Sequence, residues 1–252
     1  MMDLGLKGRV AAITGGTRGI GLAIAELLAE EGAHVAVCAR SEKSLEAVRN
    51  KGWLAMAADM TREADAHCFI DATTQKWGRL DIRINNVGGS LGGGGFQQSS
   101  VDQWRAVLDA NVMSALYASK AAIPHMKQAG WGRIIHIASV WGRESGGGAA
   151  YNAAKAALIS MSKSMAQDLA KDGILVNAVA PGSVWFPDGG WDKRMQADAA
   201  KIEAFVKSDM PLGRFGQPQE VAAVVALLAS DRAGLVTGAC WAVDGSQGKS
   251  NI

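Results

Sequence analysis

The chain alternates short apolar runs, many of them β-branched, with longer alanine-rich stretches in which apolar residues recur with helical spacing. The apolar runs predict seven strands, at residues 10–13, 34–38, 53–57, 81–84, 133–138, 175–180 and 239–243. The stretches between them predict helices at residues 20–31, 41–51, 63–77, 101–127, 149–172 and 217–230. Such alternation is typical of parallel strands joined by helical crossovers. We therefore expect an α/β fold, a Rossmann-type doubly wound parallel sheet of seven strands with helices on both faces, forming one domain over residues 1–252.

Glycines support these limits, and two stretches depart from the alternation. Glycine commonly ends a helix, and predicted helices are followed by one at positions 32, 52, 78, 130 and 173. Ser41 stands at an N-cap position. Residues 88–95 contain six glycines, and residues 183–212 form a long segment that we expect to be irregular. Both follow predicted strands, where ligands of such sheets bind, so both are candidate walls or lids of a site. Gly189 and Gly190 are a candidate hinge.

The composition is that of an ordinary globular protein, with 48% hydrophobic and 20% charged residues. A net charge of +2 indicates neither a nucleic-acid nor a membrane partner. The longest apolar run, residues 221–229, is too short to span a membrane, and the first residues show no signal-peptide pattern. Cys38, Cys68 and Cys240 are widely spaced and form neither a disulfide set nor a metal motif. We expect them to be buried, in a cytoplasmic protein.

A glycine-rich turn follows the first predicted strand and leads into a helix. Residues 14–21 read Thr-Gly-Gly-Thr-Arg-Gly-Ile-Gly, with the glycine spacing G-x-x-x-G-x-G. Glycines permit a tight turn and a close backbone approach, and a helix N-terminus attracts the pyrophosphate of a dinucleotide. The candidate contacts in this turn are Gly15, Thr17, Arg18, Gly19, Ile20 and Gly21. The alternative is a glycine-rich turn that binds nothing.

The residues after the second and third strands bear on the nucleotide. NAD sites place a carboxylate after strand two for the ribose hydroxyl, whereas arginine meets the 2′-phosphate of NADP. Here no acid ends strand two; Arg40 follows it, and Arg18 can approach from the glycine turn. We therefore expect NADP(H) to be preferred, with NAD(H) possible; the alternative is that both arginines are solvated surface charges. Asp59, after strand three, could accept from an adenine amino group or could cap a helix.

Four residues form a candidate catalytic group. Tyr151 and Lys155 are four residues apart in a predicted helix and share one face. Ser139 ends the strand before that helix, and Asn111 lies in the preceding helix. Reduction of a carbonyl needs an acid that protonates the oxygen as hydride arrives, and a nearby ammonium would lower the tyrosine pKa from its ordinary value of about 10. Alone, a Y-x-x-x-K pair is weak evidence, and a mid-helix asparagine often bonds only to backbone.

Taken together, these motifs resemble those of the short-chain dehydrogenase/reductase family, in its branch of about 250 residues, along essentially the whole chain. The resemblance implies Tyr151 as acid/base, Ser139 as holder of the substrate oxygen, and Lys155 at the nicotinamide ribose, lowering the tyrosine pKa. It also implies that Asn111 holds a water next to Lys155. The further cofactor contacts are Asp59, Met60, Asn86, Gly88, Pro181, Gly182 and Val184, the last through its backbone to the nicotinamide amide.

The chain departs from the family pattern in three places. Val87 stands in the run Asn85-Asn86-Val87-Gly88 where the family usually has alanine. Ser139 precedes Tyr151 by 12 positions where many members have 13. The threonine that often follows the Pro-Gly turn by several residues is absent.

Three aromatic residues near the catalytic group are candidates for the substrate pocket. Trp141 follows Ser139 by two residues, and Trp185 and Phe186 follow the Pro-Gly turn. An aromatic wall would favour a carbonyl substrate with a hydrophobic or ring-bearing body, although simple packing explains such residues equally well. The competing enzymatic hypothesis is a 3-oxoacyl-(acyl-carrier-protein) reductase, for which Lys127 and Arg133 could meet an acidic carrier. A non-catalytic redox sensor that binds dinucleotide is the hypothesis from another class.

Oligomerisation is an expectation that rests mainly on the resemblance. The helix predicted at residues 149–172 carries Ala153, Ala157, Met161 and Met165, small or flexible residues suited to close helix packing. Family members often pair such helices and last strands into a tetramer of two-fold symmetry. We therefore expect a homotetramer that acts on a small-molecule carbonyl or alcohol.

Overall fold

The computed structural model describes residues 3–251 and contains one seven-stranded sheet in the order β3-β2-β1-β4-β5-β6-β7. The strands are β1 (Val10–Thr14), β2 (His34–Ala39), β3 (Leu54–Ala57), β4 (Ile82–Asn85), β5 (Gly132–Ile137), β6 (Ile174–Pro181) and β7 (Cys240–Val243). Every neighbouring pair is parallel. The predicted fold class is therefore confirmed, and each strand is within two residues of its predicted limits.

Helices cover both faces of the sheet because its strands are apolar on both sides. They are α1 (Gly19–Glu30), α2 (Glu42–Arg49), α3 (Glu63–Trp77), α4 (Val101–Leu108), α5 (Ser114–Ala129), α6 (Ala149–Leu169), α7 (Gly190–Ala197), α8 (Ala199–Asp209) and α9 (Pro218–Ala229). Buried residues of α1 and α9 form one core with Ile13 and Ile135. Those of α3, α5 and α6 form a second with Val10 and Ile134. No helix among residues 3–251 has the length and apolar character needed to cross a membrane.

The region expected to be one helix at residues 101–127 is two helices. A π-helical turn, Asp109–Met113, separates α4 from α5 and contains Asn111. In a π turn the backbone hydrogen bonds skip one residue further than in an α-helix, and such turns frequently occur at functional sites. Periodicity did not reveal it, because the extra residue leaves the helical axis continuous.

The expectation that residues 183–212 are irregular was wrong, because this segment contains α7 and α8. Asp198 caps α8 by accepting a hydrogen bond from the backbone N–H of Lys201 at 3.0 Å. Few residues of this segment are buried, Ile202 and Met210 among them, so the sequence shows no broad apolar stripe from which the two helices could be predicted. Gly189 is the N-cap residue of α7 and Gly190 is its first residue.

The structure also tests three smaller expectations. The five helix-ending glycines all have positive φ, for example 72° at Gly78 and 61° at Gly130, which confirms them as terminators. Ser41 is the N-cap residue of α2, but its side chain makes no capping hydrogen bond. Burial of all three cysteines was wrong: Cys38 is buried, but Cys240 is half-buried and Cys68 is exposed on the outer face of α3.

Candidate active site

The glycine turn lies at the carboxyl edge of the sheet and is tied to the end of β4. Thr14 Oγ1 accepts hydrogen bonds from the backbone N–H groups of Asn86 (3.0 Å) and Val87 (3.2 Å). The amide of Asn86 donates to the carbonyl oxygens of Thr14 (2.9 Å) and Gly15 (3.2 Å). These bonds hold the start of α1 in place relative to β4, so the turn and the Asn86 loop form one preorganised unit.

Three glycine positions of this turn exclude a side chain, as a dinucleotide-binding turn requires. Gly15 and Gly19 have φ values of 64° and 54°, which L-residues rarely adopt. A Cβ atom on Gly21 would collide with the carbonyl oxygen of Gly15 and lie 2.5 Å from the amide nitrogen of Asn86. The glycines therefore permit a close approach to the backbone at the N-terminus of α1, beside the ring of Phe186, and these residues fit a pyrophosphate group.

The two arginines expected at the adenosine end are both exposed. Arg18 donates to the backbone oxygen of Asp188 at 3.3 Å. Burial alone would raise the pKa of Asp59, but hydrogen bonds from the N–H and hydroxyl of Thr61 and the charges of Arg40 and Arg62 outweigh it and lower that pKa. Arg40 and Asp59 therefore lie close together at the ends of β2 and β3, and Met60 beside them is buried.

Ser139 and Tyr151 meet at the carboxyl end of β5. Ser139 lies two residues beyond the strand, is 7% exposed, and accepts a hydrogen bond from the N–H of Trp141 at 3.2 Å. A hydrogen bond also joins Ser139 to Tyr151 in the first turn of α6. Burial raises the pKa of Tyr151, and the bond from Ser139 offsets this only in part. The phenol is therefore protonated at neutral pH.

Lys155 lies one helical turn beyond Tyr151. Its Nζ donates to the carbonyl oxygen of Ile137 at 2.8 Å and lies 5.5 Å from the centre of the Tyr151 ring. The side chain is almost completely buried, and burial lowers the pKa of Lys155 to about 7. The expected lowering of the tyrosine pKa by this lysine is therefore not what the structure shows, because burial dominates the pKa of both groups.

Asn111 completes the group from the π turn. Its amide donates to the carbonyl oxygens of Gly89 (2.9 Å) and Val107 (2.8 Å), and its Oδ1 accepts from the N–H of Gly89 at 3.1 Å. A Cβ atom on Gly88 would collide with Asn111 Oδ1 and lie 3.0 Å from the Nζ of Lys155. Gly88 thus lies between Asn111 and Lys155, where only glycine fits.

The turn after β6 presents backbone groups to the same edge. Gly216 donates to the carbonyl oxygen of Ser183 (2.9 Å) and accepts from the N–H of Trp185 (3.0 Å). In a parallel pair, the residue between two such neighbours directs its own N–H and C=O to the opposite side. Val184 is that residue, while Pro181 and Gly182 continue the pairing of β6 with Val243.

The three candidate pocket aromatics are placed differently from one another. Phe186 lies against the glycine turn, since a Cβ atom on Gly19 would lie 2.7 Å from its ring. Trp141 packs under the loop before α6, where a Cβ atom on Gly147 would lie 3.1 Å from the indole. Trp185 is 36% exposed. Of the three, Phe186 is thus the one that the structure places beside a proposed cofactor element.

Sequence reasoning missed a residue next to the tyrosine. The amide of Asn152 donates to the carbonyl oxygens of Trp141 (2.6 Å) and Glu144 (2.8 Å). It therefore fixes the loop that carries Ser139 to the helix that carries Tyr151. Bonds to backbone oxygens leave no signature in residue type or spacing, so nothing beyond its position beside Tyr151 could have indicated it.

Comparisons with known proteins agree with this arrangement. A family model described as enoyl-(acyl carrier protein) reductase matches residues 15–246. The chain is 37% identical to 2-(S)-hydroxypropyl-CoM dehydrogenase 3 of Xanthobacter autotrophicus over 95% of this chain and 96% of that protein. It is 36% identical to the 3-oxoacyl-[acyl-carrier-protein] reductase of Vibrio cholerae, over 96% of this chain and 98% of that one. The crystal structure of L-sorbose reductase from Gluconobacter frateurii, complexed with NADPH and L-sorbose, superposes with a TM-score of 0.92 at 33% identity, covering 99% of this chain and all of that one.

Proposed function

We propose a function on the premise that the chain belongs to the short-chain dehydrogenase/reductase family, as the family model and the relatives show. It is an oxidoreductase that acts on alcohol/ketone pairs, with a Rossmann-type nucleotide-binding fold. Our proposal is that it reduces a hydrophobic or ring-bearing carbonyl compound, with NADP(H) as the preferred cofactor and NAD(H) accepted less well.

The hydrogen bond between Ser139 and Tyr151 carries this proposal. A bound nicotinamide cofactor supplies or accepts the hydride. Ser139 holds the carbonyl oxygen, and the Tyr151 phenol donates its proton to that oxygen. Because burial raises the pKa of Tyr151, the phenol is protonated at neutral pH and suited to the reductive direction. We assign Lys155 to the nicotinamide ribose and Asn111 to a water beside Lys155.

The positive charge at the adenosine end of the site supports a preference for NADP(H). Arg18 and Arg40 are both exposed, and they follow the ends of β1 and β2. Two guanidinium groups can bind a 2′-phosphate through charge-assisted hydrogen bonds. The L-sorbose reductase that this chain resembles is complexed with NADPH, which is consistent with the same choice. We assign Asp59 and Met60 to the adenine, and the backbone of Val184 to the nicotinamide amide.

The substrate proposal rests on three aromatic residues that follow Ser139 and the Pro-Gly turn along the chain. Trp141, Trp185 and Phe186 would provide apolar surface for the body of the carbonyl compound. The second candidate is reduction of a 3-oxoacyl group on an acyl carrier protein, favoured by the 36% identity to the Vibrio cholerae enzyme over nearly both chains. A carrier-borne thioester and small ring-bearing ketones, assayed side by side, distinguish the two.

We further propose a cytoplasmic homotetramer. β7 is an edge strand of the sheet, and an uncovered edge readily pairs with another copy. On α6, Ala153 is exposed, while Ala157, Met161 and Met165 are half-buried, so this face is available for close packing. Light scattering at micromolar concentration tests the proposal; a monomer contradicts it.

The function is tested by following NADPH oxidation with a panel of ketones and aldehydes. Turnover of ring-bearing ketones supports the proposal, and turnover of 3-oxoacyl thioesters alone supports the second candidate. Binding of NADPH without turnover of any substrate would identify the dinucleotide-binding sensor instead.

A further inference from the structure

The chain folds back toward the site after β7. We call residues 244–249 the β7 turn. Asp244 organises it, because Oδ1 accepts from the N–H of Ser246 (3.0 Å) and Oδ2 from the N–H of Gly248 (2.9 Å). The carbonyl oxygen of Asp244 accepts from the N–H of Gln247 at 3.1 Å. Gly245 and Ser246 both have positive φ, 60° and 66°. The turn is therefore tight and fixes the direction of the Gln247 side chain.

Gln247 is bound through both ends of its amide by one residue. Its Oε1 accepts from the N–H of Ser183 at 2.7 Å, and its Nε2 donates to the Ser183 hydroxyl at 3.0 Å. Gln247 is 8% exposed and Ser183 is 7% exposed, so water does not compete for these groups. A Cβ atom on Gly182 would lie 2.7 Å from Gln247 Oε1, which shows how closely the turn approaches.

These bonds act on the residue before Val184. Gln247 holds the N–H and hydroxyl of Ser183, and Gly216 holds its carbonyl oxygen and the N–H of Trp185. The backbone on both sides of Val184 is therefore fixed, and with it the direction in which Val184 presents its own N–H and C=O.

The β7 turn also contacts the serine side of the site. The N–H of Lys249 donates to the carboxylate of Glu144, whose backbone oxygen accepts from Asn152 beside Tyr151. The same turn thus bonds to the loop after Ser139 and to the loop before Val184. The β7 turn therefore links the loop after Ser139, on the substrate side of the site, to the loop before Val184, on the nicotinamide side.

We propose that Gln247 is a positioning residue for the nicotinamide end of the cofactor, acting through Ser183 on the backbone of Val184. This inference rests on the proposed function, because it uses the assignment of Val184 to the nicotinamide amide. Gln247 itself touches neither substrate nor cofactor in this account. Its replacement weakens the hold on the nicotinamide half of the dinucleotide and leaves the adenosine half unaffected.

The test compares two ligands that share the adenosine end. Binding of NADPH and of 2′,5′-ADP, which lacks the nicotinamide, is measured by calorimetry for the unmodified protein and for Gln247→Met. Methionine has a similar length but leaves the Ser183 groups without partners, at a cost typical of buried hydrogen bonds. We expect the Kd of NADPH to rise about five- to thirtyfold, which corresponds to ~1–2 kcal/mol, and that of 2′,5′-ADP to change less than about twofold. Gln75→Met, on an exposed face of α3, is the matched control and changes neither Kd.

The outcomes separate the possible failures. Equal weakening of both ligands means a general structural role and overturns the proposal, and so does an unchanged Kd for NADPH. Ser183→Ala loses only the hydrogen bond from Gln247 to the hydroxyl. We expect it to weaken NADPH binding selectively but by a smaller factor, so it decides the question if Gln247→Met does not fold. If the unmodified protein prefers NADH, the pair becomes NADH and ADP-ribose. If it binds no dinucleotide, the proposed function itself is wrong.

Discussion

The Nζ of Lys155 donates to the carbonyl oxygen of Ile137, 2.8 Å away in the interior, rather than standing free in an open cleft. This places a basic group where folding disfavours its charge, and burial lowers the pKa of Lys155 to about 7 from 10.5. In the unfolded chain this lysine keeps a pKa near 10.5, so the cost of burying it grows as the pH falls from about 10.5 to 7 and is constant below that. The buried lysine therefore lowers stability at neutral pH, which is a cost that a purely structural residue would have no reason to impose.

Lys155→Met is accordingly expected to stabilise the protein and to inactivate it. The apolar side chain removes the desolvation cost, and the loss of one bond to Ile137 offsets part of the gain, so the free energy of unfolding at pH 8 rises by about 1–3 kcal/mol. Urea unfolding and carbonyl reduction are measured on the same preparation. Lys120→Met, at an exposed position of α5, is the control. A less stable or an active Lys155→Met would contradict this account.

Because His136 is buried, we expect the free energy of unfolding to fall in mild acid. Burial, and then the positive charges of Arg83 and Lys155, lower the pKa of His136 to about 3 from 6.5. The unfolded chain takes up a proton below pH 6.5 that the folded chain refuses, so this contribution to stability is present above pH 6.5 and is lost as the pH falls toward 3.

The expected slope is about 1.4 kcal/mol per pH unit once the pH is well below 6.5. Unfolding by urea at several pH values between 4.5 and 7.5 measures it. In His136→Leu this component of the slope disappears, and Asn85 retains its bond to Ser119. His67→Asn, on the exposed side of α3, keeps the slope. The same slope in His136→Leu as in the unmodified protein would contradict the prediction.

Arg40 is expected to decide between the two nicotinamide cofactors. Arg40→Asp removes a phosphate-binding group and introduces a carboxylate that can accept from a ribose hydroxyl. The ratio of kcat/KM values should move toward NADH by at least about 100-fold, or ~2.7 kcal/mol. Lys171→Asp makes the same charge change at the opposite edge of the sheet, after α6, and leaves the ratio unchanged. If the unmodified enzyme uses NADH as well as NADPH under matched conditions, the NADP(H) assignment is wrong.

Asn152 is expected to affect turnover more than stability. Asn152→Ala frees the carbonyl oxygens of Trp141 and Glu144, so the loop that carries Ser139 is no longer fixed to α6. We expect kcat to fall about tenfold, or ~1.4 kcal/mol, with little change in the Kd of NADPH. Asn50→Ala, just beyond α2, is a surface control. Unchanged kcat would show that the loop holds its position without this residue.

The sheet could be predicted from the sequence because each strand is a short, mainly apolar run, and the central strands β1, β4 and β5 are buried throughout. β1, for example, is buried at all five positions and passes directly into the glycine turn. Parallel order then follows from the intervening helices, and the carboxyl edge gathers the strand-end motifs without further information. For this reason Ser139, Tyr151 and Lys155 could be grouped from their positions in the sequence alone.

The remaining features depend on contacts that pattern does not encode. α7 and α8 are held together by a few aromatic residues, with the rings of Trp191 and Phe205 stacked at 4.8 Å, rather than by a regular apolar stripe. Asn152 and Gln247 bond to backbone groups far along the chain or across a loop, and an amide side chain looks the same wherever its partner lies. The raised pKa of Tyr151 depends on burial, which spacing alone does not give.

The central claim, that Tyr151 protonates the carbonyl oxygen, is tested most directly by the turnover of Tyr151→Phe. The chain has two tyrosines, so Tyr117→Phe on α5 is a natural control that makes the same chemical change. Carbonyl reduction is measured with saturating NADPH, and NADPH binding is measured separately. Our account predicts that kcat falls by ~100- to 10,000-fold in Tyr151→Phe while the Kd of NADPH is nearly unchanged, and that Tyr117→Phe retains full turnover. Turnover by Tyr151→Phe at the rate of the unmodified enzyme would contradict the account.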